Sequence, residues 1–191
     1  MKIFKFTDYN HYKKEQVKAN VKKIVNVWIN ENTVKKITQY IDKADNILCH
    51  GVRNAKELEF FKKYYSSADI IGTEISHTAK QFKNVIEWDF HNVKEEWKSK
   101  FDIVYSNSWD HSYDHIKSLT TWKDQMSTNG FMFLEHGYDP KDNKSRVSDP
   151  LEIYHEEILD TLKQVNLKYI TEFTTTALQN KTPARVYVIK K

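Results

Sequence analysis

Apolar and polar residues recur along this chain with two different periods, one helical and one strand-like. From Lys13 to Ile29 the apolar positions Val17, Val21, Ile24, Val25 and Trp28 fall at i, i+4, i+7, i+8 and i+11. That spacing predicts a helix with one buried stripe and with Lys13, Lys14, Lys18 and Lys22 largely off it. A second helix is predicted from about Thr33 to Lys43, with Val34, Ile37, Tyr40 and Ile41 facing inwards. Beyond it, short β-rich runs alternate with helical patterns. Strands are predicted at Asn46–His50, Asp69–Glu74, Asn84–Trp88, Phe101–Ser106 and Phe131–Glu135, the last opened by a turn at Asn129-Gly130. Between them lie helices at Ala55–Tyr65, around Ser76–Phe82, at His91–Lys100 and from about Tyr113 to Ser127.

After a polar loop from His136 to Asp149, Asp149-Pro150 reads as the cap and first position of a helix that reaches about Val165. Lys168–Thr174 and Arg185–Ile189 then read as an antiparallel hairpin at one sheet edge. Five βα units followed by a hairpin predict an α/β fold: a doubly wound, mostly parallel, seven-stranded sheet with a C-terminal antiparallel hairpin. The first two helices form an N-terminal helical cover. The expected division is a basic helical arm over residues 1–44, possible as a lid, and a single α/β unit over residues 45–191.

One stretch carries the candidate chemistry. Ile47-Leu48-Cys49 is a buried strand, His50-Gly51-Val52-Arg53 a tight turn, and Asn54 a cap for the helix starting at Ala55, with Glu57 and Glu59 favourable in its first turns. Strand, glycine turn and helix start together gather backbone N–H groups for an anionic or carboxylate-bearing ligand. Some 23 residues after Gly51 the next strand ends at Glu74, an acid placed to accept hydrogen bonds from ribose hydroxyls. The pair points to a nucleoside-binding site.

Composition narrows the class. The 191 residues are 39% hydrophobic and 29% charged, enough for one α/β domain with a full core. No apolar run approaches the roughly 20 residues of a membrane span, and the start of the chain lacks a signal-peptide apolar region, so a cytoplasmic location is expected. The single Cys excludes an internal disulfide framework. Residues 1–43 hold ten lysines against four acids, +6 of a net +4, leaving −2 for the rest. Such an arm suits a solvated helix face first, and nucleic acid, acidic lipid or an anionic sugar second.

With these residues in view, the chain resembles a class I S-adenosylmethionine-dependent methyltransferase, over about Asn46–Ile189. The resemblance implies S-adenosylmethionine as cofactor, with the turn His50, Gly51, Arg53, Asn54 along its methionine part. It also implies Glu74 on the ribose, Asp89 and Phe90 at the adenine, and Asn107 near the cofactor amine and the transferable methyl. The chain departs from the family's acid-x-Gly-x-Gly-x-Gly turn. Cys49 stands for the acid, Arg53 for the second glycine and Ala55 for the third. Because Arg53 does not take a glycine conformation cheaply, the turn is expected to run differently there, with Arg53 either pairing with the cofactor carboxylate or standing exposed in the loop.

Methyl transfer needs a positioned acceptor and a group to remove its proton. The loop Ser106–Asp114 is dense in titratable groups: His111 is the candidate general base, with Asp110 or Asp114 to orient it. Glu135-His136 point to the same crevice. A metal would draw on His111 and His115, four apart, with Asp110, Asp114, Glu135 and His136, but no Cys pair or HExxH pattern supports one and none is expected. The loop lacks the Asn/Asp-Pro-Pro-aromatic signature of nucleobase and glutamine N-methylation, and the Lys-Asp-Lys-Glu set of ribose methylation is missing. The expected activity is therefore methyl transfer to oxygen on a small molecule or saccharide. A non-catalytic nucleoside- or partner-binding protein, and nucleic-acid methylation through the basic arm, are the alternatives.

Overall fold

Alternation within the strands decides which helices cover which side of the sheet. In a computed structural model, which describes residues 1–139, 143–178 and 181–191, β1 spans Lys2–Ile3, α1 Tyr9–Lys22 and α2 Glu31–Ile37. Then come β2 (Asn46–His50), α3 (Lys56–Tyr64), β3 (Asp69–Glu74), β4 (Val85–Glu87) and β5 (Phe101–Ser106). The chain closes with α4 (His115–Gln125), β6 (Met126–Gly137), β7 (Leu151–Glu152), α5 (His155–Gln164), β8 (Lys168–Thr176) and β9 (Pro183–Lys190). Ile47 and Cys49 of β2 join Ile103 and Tyr105 of β5 in one buried layer beneath α2 and α3. Leu48 and Val104, on alternate positions, join Leu119 and Trp122 of α4 and Ile158 and Leu162 of α5 in the other. Strands buried on both faces read as continuous apolar runs, which is why these were legible as short strands. Each fully buried large side chain contributes roughly 1.5–3 kcal/mol.

The strands run in the order β4-β3-β2-β5-β6-β9-β8. The β2, β3, β4, β5 and β6 neighbours are parallel, and β9 runs antiparallel to both β6 and β8. This is the expected seven-stranded sheet with its hairpin at one edge. His50 registers with Thr73 of β3 and Ser106 of β5, so Gly51, Glu74 and Asn107 emerge side by side from the carboxyl end of the sheet. Parallel α/β sheets bind ligands at that end, where the strand order reverses; here the reversal lies between β2 and β5.

Several expectations are corrected. α1 begins and ends earlier than its apolar stripe suggested, and its buried residues are Tyr12, Gln16 and Asn20. Val21 is 48% exposed and Val25 82%. The chain leaves the helix at Lys23 because the carbonyls of Ile24 and Asn26 are taken by the Asn54 amide, at 2.9 and 3.0 Å. Asn54 therefore does not cap α3, whose first turn is preceded by Ala55 in a left-handed conformation. α2, expected from about Thr33 to Lys43, starts at Glu31 with Asn30 as its cap and ends at Ile37. The helix of one or two turns expected around 76–82 is a 3-10 helix at His77–Gln81, whereas the one expected at 91–100 shrinks to a single 3-10 turn at Glu95–Trp97. β6 starts at Met126, with the Ser127–Gly130 stretch absorbed in a bulge where Phe101 and Ile103 pair with Met126 and Phe131. Asp149-Pro150 opens β7, which pairs antiparallel with β1 and ties the N-terminus to this edge of the site; the helix after it begins at His155, with Glu157 accepting from the Tyr154 N–H at 3.0 Å.

Candidate active site

The turn after β2 keeps a glycine-type backbone with side chains on it. Gly51, Arg53 and Ala55 all have positive φ, at 71°, 42° and 62°. The expectation that the turn departs at Arg53 is overturned: the left-handed conformation is retained at every second residue. Each non-glycine residue held there costs about 1–2 kcal/mol. Local bonds offset the strain. The Arg53 N–H donates to Glu74 Oε2 at 3.1 Å, the Ala55 N–H to the Val52 carbonyl at 2.8 Å, and the Arg53 guanidinium reaches the Asn26 carbonyl at 3.3 Å. At Gly51 only glycine fits, since a Cβ would lie 2.5 Å from the Ser108 Cβ.

Two contiguous cavities open at this edge. The narrower, about 40 Å³, is lined by Gly51, Arg53, Glu74, Asp89 and Phe90, and roofed by Tyr12, Gln16 and Asn20 of α1. Glu74 is buried; its other oxygen, Oε1, accepts from the Ser76 N–H at 3.1 Å. Burial raises its pKa above the ordinary carboxylate value, against those backbone bonds. Asp89 Oδ1 accepts from the His91 N–H at 3.0 Å and contacts the His91 ring Nδ1 at 2.6 Å, while Oδ2 accepts from the Tyr9 hydroxyl at 2.9 Å. Burial works to raise the Asp89 pKa, but the His91 bonds outweigh it and hold the group below its usual value.

The wider cavity, about 280 Å³, shares Lys23, Gly51, Arg53, Ser108 and His111 with the first and adds Asn54, Glu57, Asn107, Asp110, Glu135, His136 and Asp149. Glu57 is 5% exposed. Its Oε1 accepts from the Asn107 amide at 2.9 Å, while Oε2 has no partner among the described residues. Burial pushes its pKa up to about 7 against the Asn107 bond. Glu135 is a second buried acid further along the sheet: Oε2 accepts from the Tyr105 hydroxyl at 2.6 Å, and burial raises the pKa to about 7 against bonds from Tyr105 and Trp28.

His111 sits between the two cavities. The Gln16 amide nitrogen donates to the Ser148 carbonyl at 3.2 Å, which fixes the amide orientation and leaves its oxygen 2.9 Å from His111 Nδ1. Nδ1 therefore carries a proton and donates. Nε2 faces Asp149 Oδ1 at 3.6 Å and Asp110 Oδ1 at 3.8 Å, beyond hydrogen-bond distance of both. Among the described residues these three form the group whose ligand atoms converge closely enough for a metal ion. Burial would raise the Asp149 pKa, but His111, Lys23 and Arg146 together keep it low.

Of the residues singled out from the sequence, Gly51, Arg53, Asn54, Glu74, Asp89, Phe90, Asn107, Asp110 and His111 line these cavities. Two do not. The His50 ring is a core group, held by Thr73 Oγ1 at 2.9 Å and Gln125 Oε1 at 2.8 Å and stacked on Trp122; burial lowers its pKa to about 3. Asp114 caps α4 by accepting from the Lys117 N–H. Nor do His111 and His115 share a helix face, because His111 ends a 3-10 turn and His115 begins α4. Sequence reasoning missed Gln16 and Asp149, took Glu57 for a helix-start charge, and had no signal that its carboxylate turns inwards.

No known family's sequence profile matches the chain, and no curated protein sequence does. Solved structures do. The 1,6-didemethyltoxoflavin-N1-methyltransferase of Burkholderia thailandensis, with 1,6-didemethyltoxoflavin and S-adenosylhomocysteine bound, has a TM-score of 0.78 at 10% identity, over 98% of this chain and 92% of that one. A SAM-dependent methyltransferase from Aquifex aeolicus has a TM-score of 0.63 at 15% identity, over 98% and 100%. The cyclase SpnF has 0.68 at 9%, over 93% of each. The fold is that of the class I S-adenosylmethionine-dependent methyltransferases. A cyclase on the same frame shows that fold does not fix reaction.

Proposed function

We propose that the chain is a methyltransferase that takes its methyl group from S-adenosylmethionine and delivers it to a hydroxyl of a small molecule or saccharide. The observation that carries this reading is the continuity of the crevice. A buried ribose-type acid, Glu74, stands at one end, and a buried carboxylate oxygen without a partner among the described residues, on Glu57, lies across the Gly51 turn from it. These residues fit the cofactor. Glu74 retains lone pairs for ribose hydroxyls, Asp89 and Phe90 flank the adenine position, and Arg53 with Asn54 lies where the amino-acid tail would run. When bound, the cofactor supplies a methyl group on a sulfonium, open to in-line displacement.

The chain's own groups would then position the acceptor and take its proton. With Nδ1–H anchored on Gln16, His111 presents the Nε2 lone pair to the cavity, and Asp110 and Asp149 stabilise the imidazolium formed when the acceptor proton arrives. Glu135 Oε1 would accept a further hydrogen bond from a polyhydroxylated acceptor. Several arm lysines are engaged at the surface rather than assembled for a polyanion: Lys13 pairs with Glu87 and Lys36 donates to the Thr174 carbonyl.

Calorimetric titration of S-adenosylhomocysteine into wild type and Glu74→Ala tests the reading. Micromolar binding in wild type that is lost in the variant supports it. No binding to wild type rules it out.

A further inference from the structure

Resting on the cofactor reading above, we propose that Glu57 receives the ammonium group of the cofactor's amino-acid tail, so that cofactor uptake is coupled to release of a proton from this side chain. The strand end offers no acid of its own, because Cys49 is fully buried there and burial keeps its thiol protonated. Glu57 arrives instead from the first turn of α3, within the wider cavity beside Arg53, Asn54 and Asn107. One carboxylate oxygen is spent on the Asn107 amide, and the other is buried without a partner among the described residues, on a side chain that lines the cavity. A buried carboxylate oxygen without a donor is costly, and a charged donor from a ligand relieves that cost. The neighbouring Arg53 is placed for the carboxylate of the same tail, so the pair matches a zwitterion: a cation at Glu57 and an anion at Arg53.

The free protein holds the site in a protonatable state. The charged and titratable groups around Glu57 are Arg53 on the turn, Glu74 at the end of β3, Cys49 on β2, Tyr105 on β5 and Glu135 on β6. Arg53 alone among these favours the ionised carboxylate; Glu74 and Glu135 oppose it. With a pKa near 7, Glu57 is about half protonated at pH 7 and about nine-tenths protonated at pH 6. An arriving ammonium favours the carboxylate, so binding expels about half a proton at pH 7, close to one at pH 6 and almost none above pH 8.5. Affinity for a ligand with the tail then rises up to tenfold per pH unit below pH 7 and flattens above it.

The test uses S-adenosylhomocysteine and 5′-methylthioadenosine, which keeps the nucleoside and lacks the amino-acid tail. Each is titrated calorimetrically into wild type, Glu57→Gln and Glu135→Gln at pH 6.0, 7.0 and 8.5, in two buffers of different ionisation enthalpy, which counts the protons released. The expected result is proton release with S-adenosylhomocysteine in wild type and Glu135→Gln, and its disappearance in Glu57→Gln with a roughly tenfold to hundredfold loss of affinity. Methylthioadenosine should bind wild type and Glu57→Gln equally, without proton release, which also shows that the variant is folded. Should Glu57→Gln fail to fold, the wild-type proton counts for the two ligands still decide. S-adenosylhomocysteine binding without proton release, or with the release intact in Glu57→Gln, overturns the assignment while leaving the cofactor reading in place. Binding of neither nucleoside overturns both.

Discussion

Replacing Gly51 with alanine probes the turn on which the whole site depends. The residue has φ of 71°, and an added Cβ would lie 2.5 Å from the Ser108 Cβ and 2.8 Å from its Oγ. Ser108 has little room to retreat, because its Oγ lies 3.0 Å from both the Gly51 carbonyl and Asn107 Oδ1, with one proton to give to either. The left-handed backbone costs alanine about 1–2 kcal/mol, and forcing a methyl into a packed contact costs about 1–3 kcal/mol more. Gly51→Ala should therefore lose about 3 kcal/mol, or roughly 6–12 °C in Tm for a chain of this size. Urea unfolding of Gly51→Ala, Ser108→Gly and the double variant separates the two parts. Ser108→Gly removes the clash but not the backbone strain, so the double variant should recover about 1–2 kcal/mol relative to additivity. If Gly51→Ala stays within about 0.5 kcal/mol of wild type, or if the two changes simply add, the close approach of this turn to the loop after β5 is wrong.

The remaining predictions concern charge. Burial holds His50 neutral in the folded state down to about pH 3, whereas the unfolded chain protonates it below about pH 6.5, so stability falls by up to about 1.4 kcal/mol per pH unit across that window as the pH drops. Unfolding by urea at pH 4 and pH 6 reads the slope, and His50→Gln should flatten it. Glu135 has the opposite sign: its folded pKa of about 7 means that stability is lost as the pH rises from about 4.5 to 7. Glu135→Gln should gain about 1–3 kcal/mol at pH 8 and nothing at pH 4.5; an equal gain at both would point to packing instead. Arg53→Gly relieves a left-handed side chain at φ 42° but removes a cation from the crevice. Its unfolding energy should stay within about 1 kcal/mol of wild type while S-adenosylhomocysteine binds at least tenfold more weakly by calorimetry.

The parts of this molecule that could be read from its sequence are those where local pattern and burial agree. β2, β3 and β5 were legible to the residue because each is a short apolar run walled by polar turns and buried on both faces. Glu74 was legible for the same reason, being the acid at which such a run stops. The short elements between strands were not. The 91–100 segment carries apolar residues at helical spacing, yet the His91 ring that opens it is claimed by Asp89 beside it and by Ser112 from the loop after β5. His50 shows the limit at single-residue level. Its place next to Gly51 suggests a site, but strand alternation turns its ring into the layer occupied by Trp122, and only the fold decides which way an alternating side chain points.

The first helix carries the larger lesson, because its hydrophobic pattern pointed to the wrong face. Val21 stands in solvent while Tyr12, Gln16 and Asn20, spaced at i, i+4 and i+8, turn inwards. Tyr12 packs on Phe6 and Tyr113, whereas the buried amides of Gln16 and Asn20 must find polar partners. They do: Gln16 holds Ser148 and His111, and Asn20 accepts from Thr78, while Tyr9 one turn earlier donates to Asp89. Of these partners, His111 and Asp89 line the narrower cavity themselves. The inward stripe of α1 is thus one wall of the narrower cavity, set at helical period, and the lysines lie on the opposite, solvated face. The lysine charge of the arm is spread along a solvated face, while Tyr12, Gln16 and Asn20 face the cavity.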